Sequence, residues 1–144
     1  MIELKEVLEK DFEFLYNILK ERNPEESIEH EKTPSYEEHV LFVKSKPYSC
    51  WYIISYMKEK IGTVYLSKED EVGIFLKKEF QKKGIGKKAL ELLIKNNPRE
   101  RIFANVNPKN SKSVRFFAEY GFKLIQNTYE LKVSDGDLNG IGMY

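Results

Sequence analysis

The stretch Gln81-Lys82-Lys83-Gly84-Ile85-Gly86-Lys87 follows a short apolar run, residues 72–76, and opens a segment with helical spacing of apolar side chains. The apolar residues that recur on one face of this predicted helix are Ile85, Ala89, Leu92 and Leu93. Two glycines at a helix start leave backbone N–H groups uncovered at the positive end of the helix dipole. Together with the surrounding lysines, the loop predicts a phosphate or pyrophosphate site.

Two common phosphate-binding patterns fit this loop poorly. A Walker loop has its glycines further apart and a hydroxyl residue where Lys88 stands here. A dinucleotide fingerprint, loosely matched by Gly84-x-Gly86-x-x-Ala89, follows its strand immediately, whereas seven residues separate Leu76 from Gly84. Asn105 and Asn107 also stand where that fingerprint expects an acidic ribose ligand, about 20 residues on.

A third interpretation uses the whole string. Gln81-x-x-Gly84-x-Gly86 resembles the Gln/Arg-x-x-Gly-x-Gly/Ala signature of the GNAT superfamily of acyl-CoA-dependent N-acetyltransferases. Further along, Asn110-x-x-Ser113-x-x-x-Phe117-x-x-x-Gly121-Phe122 is similar to that superfamily's Asn-x-x-Ala/Ser-x-x-x-Tyr/Phe-x-x-x-Gly-Phe motif. One predicted helix and one predicted strand separate the two motifs, as in the family. With the order of elements, the resemblance covers residues 1–133.

The resemblance implies a site for acetyl-CoA, bound as a co-substrate, in a V-shaped opening between strands 72–76 and 102–106. It implies that backbone groups of Phe75 and Leu76 pair with the pantetheine arm. It also implies that Asn110 reaches the pantetheine or the thioester, a role compatible with capping its own helix. The other cofactor contacts that it implies are Gln81, Lys82, Lys83, Gly84, Ile85, Gly86, Lys87, Asn107 and Phe117, and no metal is expected.

Acetyl transfer to an amine needs a donor to the thioester carbonyl and a group that takes the amine proton. The backbone N–H of Leu76 is the candidate donor. Glu71 is the candidate base or substrate-orienting group, and the alternative is that it belongs to an exposed, solvated turn. Many family members carry a tyrosine acid where this chain has Phe117. The thiolate would therefore leave unaided, through water, or with a proton from Tyr120 or Tyr129.

The acceptor side is less defined by the sequence. His39, on a predicted helix at residues 35–46, is a candidate acceptor contact. The stretch Tyr36-Glu37-Glu38-His39 resembles members that act on nucleotide-linked amino sugars. The leading hypothesis is direct acetyl transfer, in a ternary complex, to a primary amine of a small molecule. The alternatives are a protein N-terminal or lysine acetyltransferase and a non-catalytic acyl-CoA-binding sensor.

Charge and cysteine content exclude other classes of partner. The 24 Lys and Arg residues nearly balance 23 Asp and Glu, so the net charge of +1 argues against nucleic-acid binding. Cys50 is the single cysteine, which argues against a zinc site. The first residues are charged, and no apolar run approaches the ~20 residues that span a bilayer. We expect a cytoplasmic monomer or homodimer without membrane contact.

The hydrophobic pattern predicts the order β-α-α-β-β-β-α-β-α-β(β), hence a mixed α/β domain with a mostly antiparallel sheet flanked by helices. Asp11 is predicted to cap the first helix. The final strand region covers residues 122–133, with a turn at Gln126-Asn127 that would divide it. One acetyltransferase domain is expected at 1–133, followed by a flexible or partner-bound tail at 134–144.

Overall fold

The computed structural model describes residues 1–22 and 33–133. The described strands are β1 (Ile2–Glu6), β2 (Tyr48–Tyr56), β3 (Glu59–Ser67), β4 (Glu71–Leu76) and β5 (Phe103–Ala104). The described α-helices are α1 (Phe12–Glu21), α2 (Tyr36–Lys44), α3 (Ile85–Asn96) and α4 (Ser111–Tyr120). The strands lie in the order β1-β2-β3-β4-β5, and every neighbouring pair is antiparallel except β4 and β5.

The centre of the sheet is the long hairpin formed by β2 and β3. Its turn residues Met57 and Lys58 both have positive φ, 49° and 69°. Paired positive φ values give the turn the twist that matches two antiparallel strands. The hairpin predicted from the two apolar runs is therefore present.

Helices cover both faces of the sheet. On one face, Ile54, Val64 and Leu66 pack with Leu90 and Leu93 of α3. On the other face, Ile53 packs with apolar side chains of α1 and α2, namely Phe12, Leu15 and Val43. Burial of these side chains on both sides gives the mixed α/β architecture that the sequence predicted, and that fold class is confirmed.

The start of α2 follows the predicted capping box, whereas Asp11 takes the predicted N-cap position of α1 without a side-chain bond to that helix. Ser35 Oγ accepts from the Glu38 N–H, and the Glu38 carboxylate accepts from the Ser35 N–H. Asp11 instead accepts from the Leu8 N–H and lies 2.6 Å from Lys60 Nζ. The Asp11 side chain is only 4% exposed, and a carboxylate buried this deeply needs a charged partner more than the helix needs a cap.

β4 and β5 are paired over two positions and then part. The pairs are Glu71 with Phe103 and Val72 with Ala104. Beyond them β4 continues to Leu76 alongside β3, whereas β5 ends. The predicted strand at 102–106 is thus two residues long, and the space between the diverging chains is the predicted V-shaped opening.

The prediction of a strand or strands at residues 122–133 is wrong. The structure assigns no strand there, and every residue from 123 to 133 is exposed. Phe122 is held by its N–H, which donates to Phe117 O at 2.9 Å, and by ring contact with Phe117. An alternating pattern shows which face of a strand would be buried, but it does not supply a strand to pair with. The prediction for residues 134–144 lies outside the described residues.

Candidate acetyl-CoA site

Two backbone hydrogen bonds fix the direction in which the peptide groups of β4 point. The Lys77 N–H donates to Ile61 O at 2.9 Å, which is a bond toward β3. The Phe103 N–H donates to Asp70 O at 2.9 Å, which is a bond toward β5. In such ladders, successive residues present their N–H and C=O to opposite neighbours. Odd-numbered residues of β4 therefore face β3, and even-numbered residues face the side of β5.

This alternation determines which β4 residues offer backbone groups to the opening. The amides of Ile74 and Leu76 point into the space that β5 has left, while the peptide groups of Phe75 point toward Thr63 of β3. Of the two residues predicted to pair with a pantetheine arm, Leu76 faces the opening. Ile74, which was not predicted, faces it as well.

The loop after β4 is tied to the strand by the side chain of Gln81. Its amide Nε2 donates to Leu76 O at 2.8 Å. The loop then passes through two residues with positive φ, Lys82 at 62° and Gly84 at 77°. Gly84 is the N-cap of α3 and makes no side-chain cap bond. Backbone of alternating hand at a helix start is the geometry that turns successive N–H groups toward an anion.

The first turn of α3 presents the N–H groups of Ile85, Gly86 and Lys87, which have no partner within the helix itself. A Cβ built on Gly84 would meet no atom within 4 Å, so the approach to these amides is open. A Cβ on Gly86 would lie 3.1 Å from Phe116, so this glycine permits close packing of α3 against α4. Open amides at a positive helix end fit a pyrophosphate group.

Glu71 lies in the first of the two β4–β5 pairs, one residue before the strands part. Its Oε2 accepts a hydrogen bond of 2.6 Å from Asn105 Nδ2, across the two chains. Its own N–H donates to Ser67 Oγ at 3.0 Å. The carboxylate of neighbouring Asp70 is instead paired with Arg99 Nε at 2.8 Å. Glu71 is the carboxylate at the closed end of the opening, and Asn105 orients it.

Aromatic side chains of the central hairpin extend toward the Glu71 side of β4. The Tyr65 ring lies across Gly73, where any Cβ would collide with it. Tyr48 stacks on Tyr65 with ring centroids 3.8 Å apart, and Trp51 meets Tyr48 edge-on at 4.7 Å. Burial is the main cause that raises the pKa of Tyr48, and the neighbouring Tyr65 raises it further. These rings form a largely apolar floor beside the opening.

Phe117 belongs to the core. Its ring lies 5.1 Å from both Phe116 and Phe122, and the residue is 9% exposed. Two tyrosine hydroxyls were considered as proton donors in place of Phe117, and they lie elsewhere. Burial, and then Glu91 of α3, raise the pKa of Tyr120. Tyr129 is 89% exposed. The role of Phe117 as a cofactor contact stays a prediction.

Asn107 and Asn110 shape the start of α4. Asn110 Oδ1 accepts from the Ser113 N–H at 3.2 Å, so this residue is the N-cap. Asn107 Oδ1 accepts from the Lys109 N–H at 2.9 Å, and Asn107 O accepts from the Asn110 N–H at 2.8 Å. Cofactor contact by either residue stays a prediction.

Two further residues of interest, His39 and Cys50, are buried to different extents. His39 is 5% exposed, its ring centroid lies 5.4 Å from that of Tyr16, and its buried Nε2 has no hydrogen-bond partner among the described residues. Burial lowers the pKa of His39. Cys50 is half-buried on β2, and burial raises the pKa of its thiol, which keeps it protonated.

Comparison with known proteins decides the family. The sequence profile described as the acetyltransferase (GNAT) family matches residues 12–122. The chain belongs to this family. Its resemblance to GNAT enzymes through the two motifs is thereby confirmed, since the matched region contains both. A comparison with curated protein sequences gives no significant match.

Solved structures share the GNAT fold. A domain from Methanocaldococcus jannaschii is 23% identical with a TM-score of 0.78, over 90% of this chain and 93% of the other. The ribosomal L7/L12 alpha-N-protein acetyltransferase RimL, in complex with CoA, is 19% identical with a TM-score of 0.69, over 87% and 81%. AAC(6')-Iy in complex with the bisubstrate analogue CoA-S-monomethyl-acetylneamine is 15% identical with a TM-score of 0.71, over 93% and 99%.

Two classes of feature are not found in residues 1–22 and 33–133. No group of three or more His, Cys, Asp and Glu side chains is arranged to hold a metal ion. No helix in these ranges combines the length and apolar character that crossing a membrane requires.

Proposed function

We propose that this GNAT protein transfers an acetyl group from acetyl-CoA to a primary amine of a small molecule, by direct attack in a ternary complex. The observation that carries the proposal is the opening between β4 and β5. Backbone amides of Ile74 and Leu76 face it, the glycine loop lies at one end, and the Glu71 carboxylate lies at the other.

Each part of this opening has a role in the proposal. The amides from Lys82 to Lys87 hold the pyrophosphate, and the exposed lysines around them add positive charge. The Leu76 N–H binds the pantetheine arm as a neighbouring strand would, while the Leu76 carbonyl is held by Gln81. The Ile74 N–H, rather than the Leu76 N–H that the sequence predicted, polarises the thioester carbonyl as an oxyanion-type donor, because Leu76 lies roughly 16 Å along the extended strand from Glu71. Acetyl-CoA supplies the activated acyl group.

Glu71 receives the proton that the amine nitrogen loses as it bonds to the acetyl carbon. Asn105 keeps the carboxylate at the vertex of the opening. With Phe117 in the core, the leaving thiolate takes its proton from water. The amine reaches Glu71 over the rings of Tyr48, Trp51 and Tyr65, whose faces attract ammonium groups.

We propose a small molecule as the acceptor, because the aromatic rings and the Glu71 carboxylate are nearly sufficient to bind a free amine. A nucleotide-linked amino sugar is one candidate, with His39 as its contact. The structural neighbours include an aminoglycoside N-acetyltransferase and a ribosomal L7/L12 alpha-N-protein acetyltransferase, so a protein acceptor is the alternative. We further propose a cytoplasmic protein whose acetyltransferase domain covers residues 1–133.

A panel of amines with a free-thiol readout tests the proposal. The wild-type chain is incubated with acetyl-CoA and, in turn, amino sugars, polyamines, lysine peptides and peptides with free N-termini. Amine-dependent thiol release with a small molecule and none with peptides supports the proposal. Release with peptides alone selects a protein acetyltransferase. If acetyl-CoA binds tightly but no amine causes thiol release, the result selects the non-catalytic acyl-CoA-binding sensor.

A further inference from the structure

A small pocket lies on the face of the sheet that α1 and α2 cover. Its volume is about 200 Å³, and Ile53, which packs with α1 and α2, forms part of its lining. The helix α3, with the glycine loop at its start, packs on the opposite face. Drug-sized ligands occupy pockets of roughly 300–1,000 Å³, so this pocket suits a smaller ligand.

A β-bulge in β3 brings Lys60 to this pocket. The register pairs Ile54 with Gly62 and Ser55 with Lys60, so Ile61 is an extra residue on the β3 side. Ile61 is 0% exposed and belongs to the core beside α3. The extra residue shifts the alternation of side chains along the strand, so Lys60 lies on the same face as Ser55. The two side chains therefore line the pocket together.

The lining of the pocket is positively charged. Four lysines, Lys5, Lys10, Lys58 and Lys60, line it together with two carboxylates. One of these carboxylates, Asp11, is paired with Lys60 at 2.6 Å. The other three lysines make no ion pair with any residue of the described parts of the chain. An excess of positive charge around a concave site attracts anions.

A buried hydroxyl group opens into the same pocket. Ser55 is 4% exposed, and its backbone is paired with β1 on one side and with β3 on the other. Its side chain lines the pocket, yet its Oγ makes no hydrogen bond with any residue that the structure describes. Buried hydroxyl groups are normally hydrogen-bonded. A buried donor that faces a basic pocket indicates a ligand with acceptor oxygens.

We propose that this pocket binds a phosphate group, as inorganic phosphate or as a small phosphate monoester, at a site separate from that of acetyl-CoA. Lysine ammonium groups are point charges on flexible stems, and here they come from β1, from the turn before α1 and from the β2–β3 hairpin. They suit a tetrahedral oxyanion, whose oxygens point in different directions. A planar carboxylate is better matched by the fork of an arginine, and no arginine among the described residues lines the pocket.

The bound anion would join three separate elements of the fold. Lys5 lies on β1, Lys10 lies just before α1, and Lys58 lies in the hairpin turn, where its φ is 69°. The phosphate would neutralise the repulsion between these lysines and hold the start of α1 against the sheet. Binding therefore stabilises the native chain and not the unfolded one.

Calorimetric titration of the full-length chain at constant ionic strength, with inorganic phosphate and separately with glycerol phosphate, tests the proposal. We expect saturable binding by the wild type. Lys58→Glu and Ser55→Ala should each weaken it by roughly 10-fold or more, since each removes a charge-assisted contact. Lys68→Glu, in the exposed turn before β4, is the matched control and should bind as the wild type does. Tighter binding of the monoester assigns the site to a phosphorylated small molecule, and tighter binding of inorganic phosphate assigns it to the free ion.

Gly84→Asp distinguishes this pocket from the glycine loop, which is a second place for phosphate. We expect Gly84→Asp to keep the binding that Lys58→Glu loses. Thermal unfolding in phosphate gives a second measurement: exclusion of phosphate from protein surfaces stabilises every variant alike, so only a saturable rise in Tm that Lys58→Glu lacks reports the pocket. Circular dichroism checks that each variant is folded. Absence of saturable binding by the wild type, or binding that Lys58→Glu leaves intact, overturns the proposal.

Discussion

Asn105 Nδ2 donates a 2.6 Å hydrogen bond to Glu71 Oε2 at the point where β4 and β5 separate. The bond joins the two chains that form the walls of the opening. It fixes a carboxylate at the vertex, on the face opposite to Val72, which is buried under α3. The position of this carboxylate relative to the opening is the basis of the predictions on catalysis.

Glu71→Gln keeps the size of the side chain and removes its ability to accept a proton. We expect turnover to fall by roughly 10²–10⁴, the usual contribution of general base catalysis, with acetyl-CoA affinity unchanged. The acidic limb of the pH–rate profile should flatten. Glu69→Gln, in the exposed turn nearby, is the matched control and should leave the rate intact. A loss confined to KM would instead assign Glu71 to amine orientation.

Asn105→Ala removes the group that orients Glu71. Hydrogen bonds to charged groups are worth about 1.5–3 kcal/mol, so we expect turnover to fall by roughly 10- to 100-fold. Asn96→Ala, at the exposed end of α3, is the control. In the Glu71→Gln background, Asn105→Ala should cost little more, because the residue that it positions is gone. Full additivity of the two losses would show that Asn105 does not act through Glu71.

Gly84→Asp tests the loop. An aspartate there adds strain at a φ of 77° and places a negative charge at the open amides. We expect acetyl-CoA affinity to fall at least about 10-fold, the factor that corresponds to ~1.4 kcal/mol. Gly121→Asp is the matched control, because Gly121 also has positive φ, 125°, with open space around it. If calorimetric titration gives both variants wild-type affinity for acetyl-CoA, the loop is only the start of a helix and not a binding site for the pyrophosphate.

His39 makes the stability of the protein depend on pH. Burial lowers its pKa in the folded state from the usual value near 6.5, so the unfolded chain binds the proton more readily. Stability is therefore full above about pH 6.5 and declines as the pH falls below that value. Denaturant unfolding of His39→Gln, compared with wild type from pH 5 to 8, should show a weaker decline. If stability declines with falling pH to the same extent in both proteins, His39 is not the cause of the decline.

The elements of the central sheet could be predicted because each pattern has a local cause. The apolar runs of β2 and β3 and the capping box at Ser35 depend on neighbours in sequence, and all appear in the structure. The failures concern partners distant in sequence. The side chain of Asp11 was predicted to cap α1 because Lys60, 49 residues further on, is invisible to a local pattern.

The candidate site shows the same division. The loop motif placed Gln81 and Gly84 correctly at the start of α3. Which of Ile74, Phe75 and Leu76 faces the opening depends on the phase of the β3–β4 ladder, which only the register shows. Asn105 was missed for a related reason, since its significance arises from the 2.6 Å contact with Glu71 across two strands.

Binding of acetyl-CoA is the claim on which the others depend, and thermal unfolding measures it directly. A ligand that binds only the native state at about 100 times its Kd stabilises by ~2.7 kcal/mol. For a chain of this size, that corresponds to a rise in Tm of roughly 5–10 °C. We predict this rise with acetyl-CoA and none with NAD or with ATP and magnesium. No rise with acetyl-CoA, or an equal rise with NAD, would contradict the account.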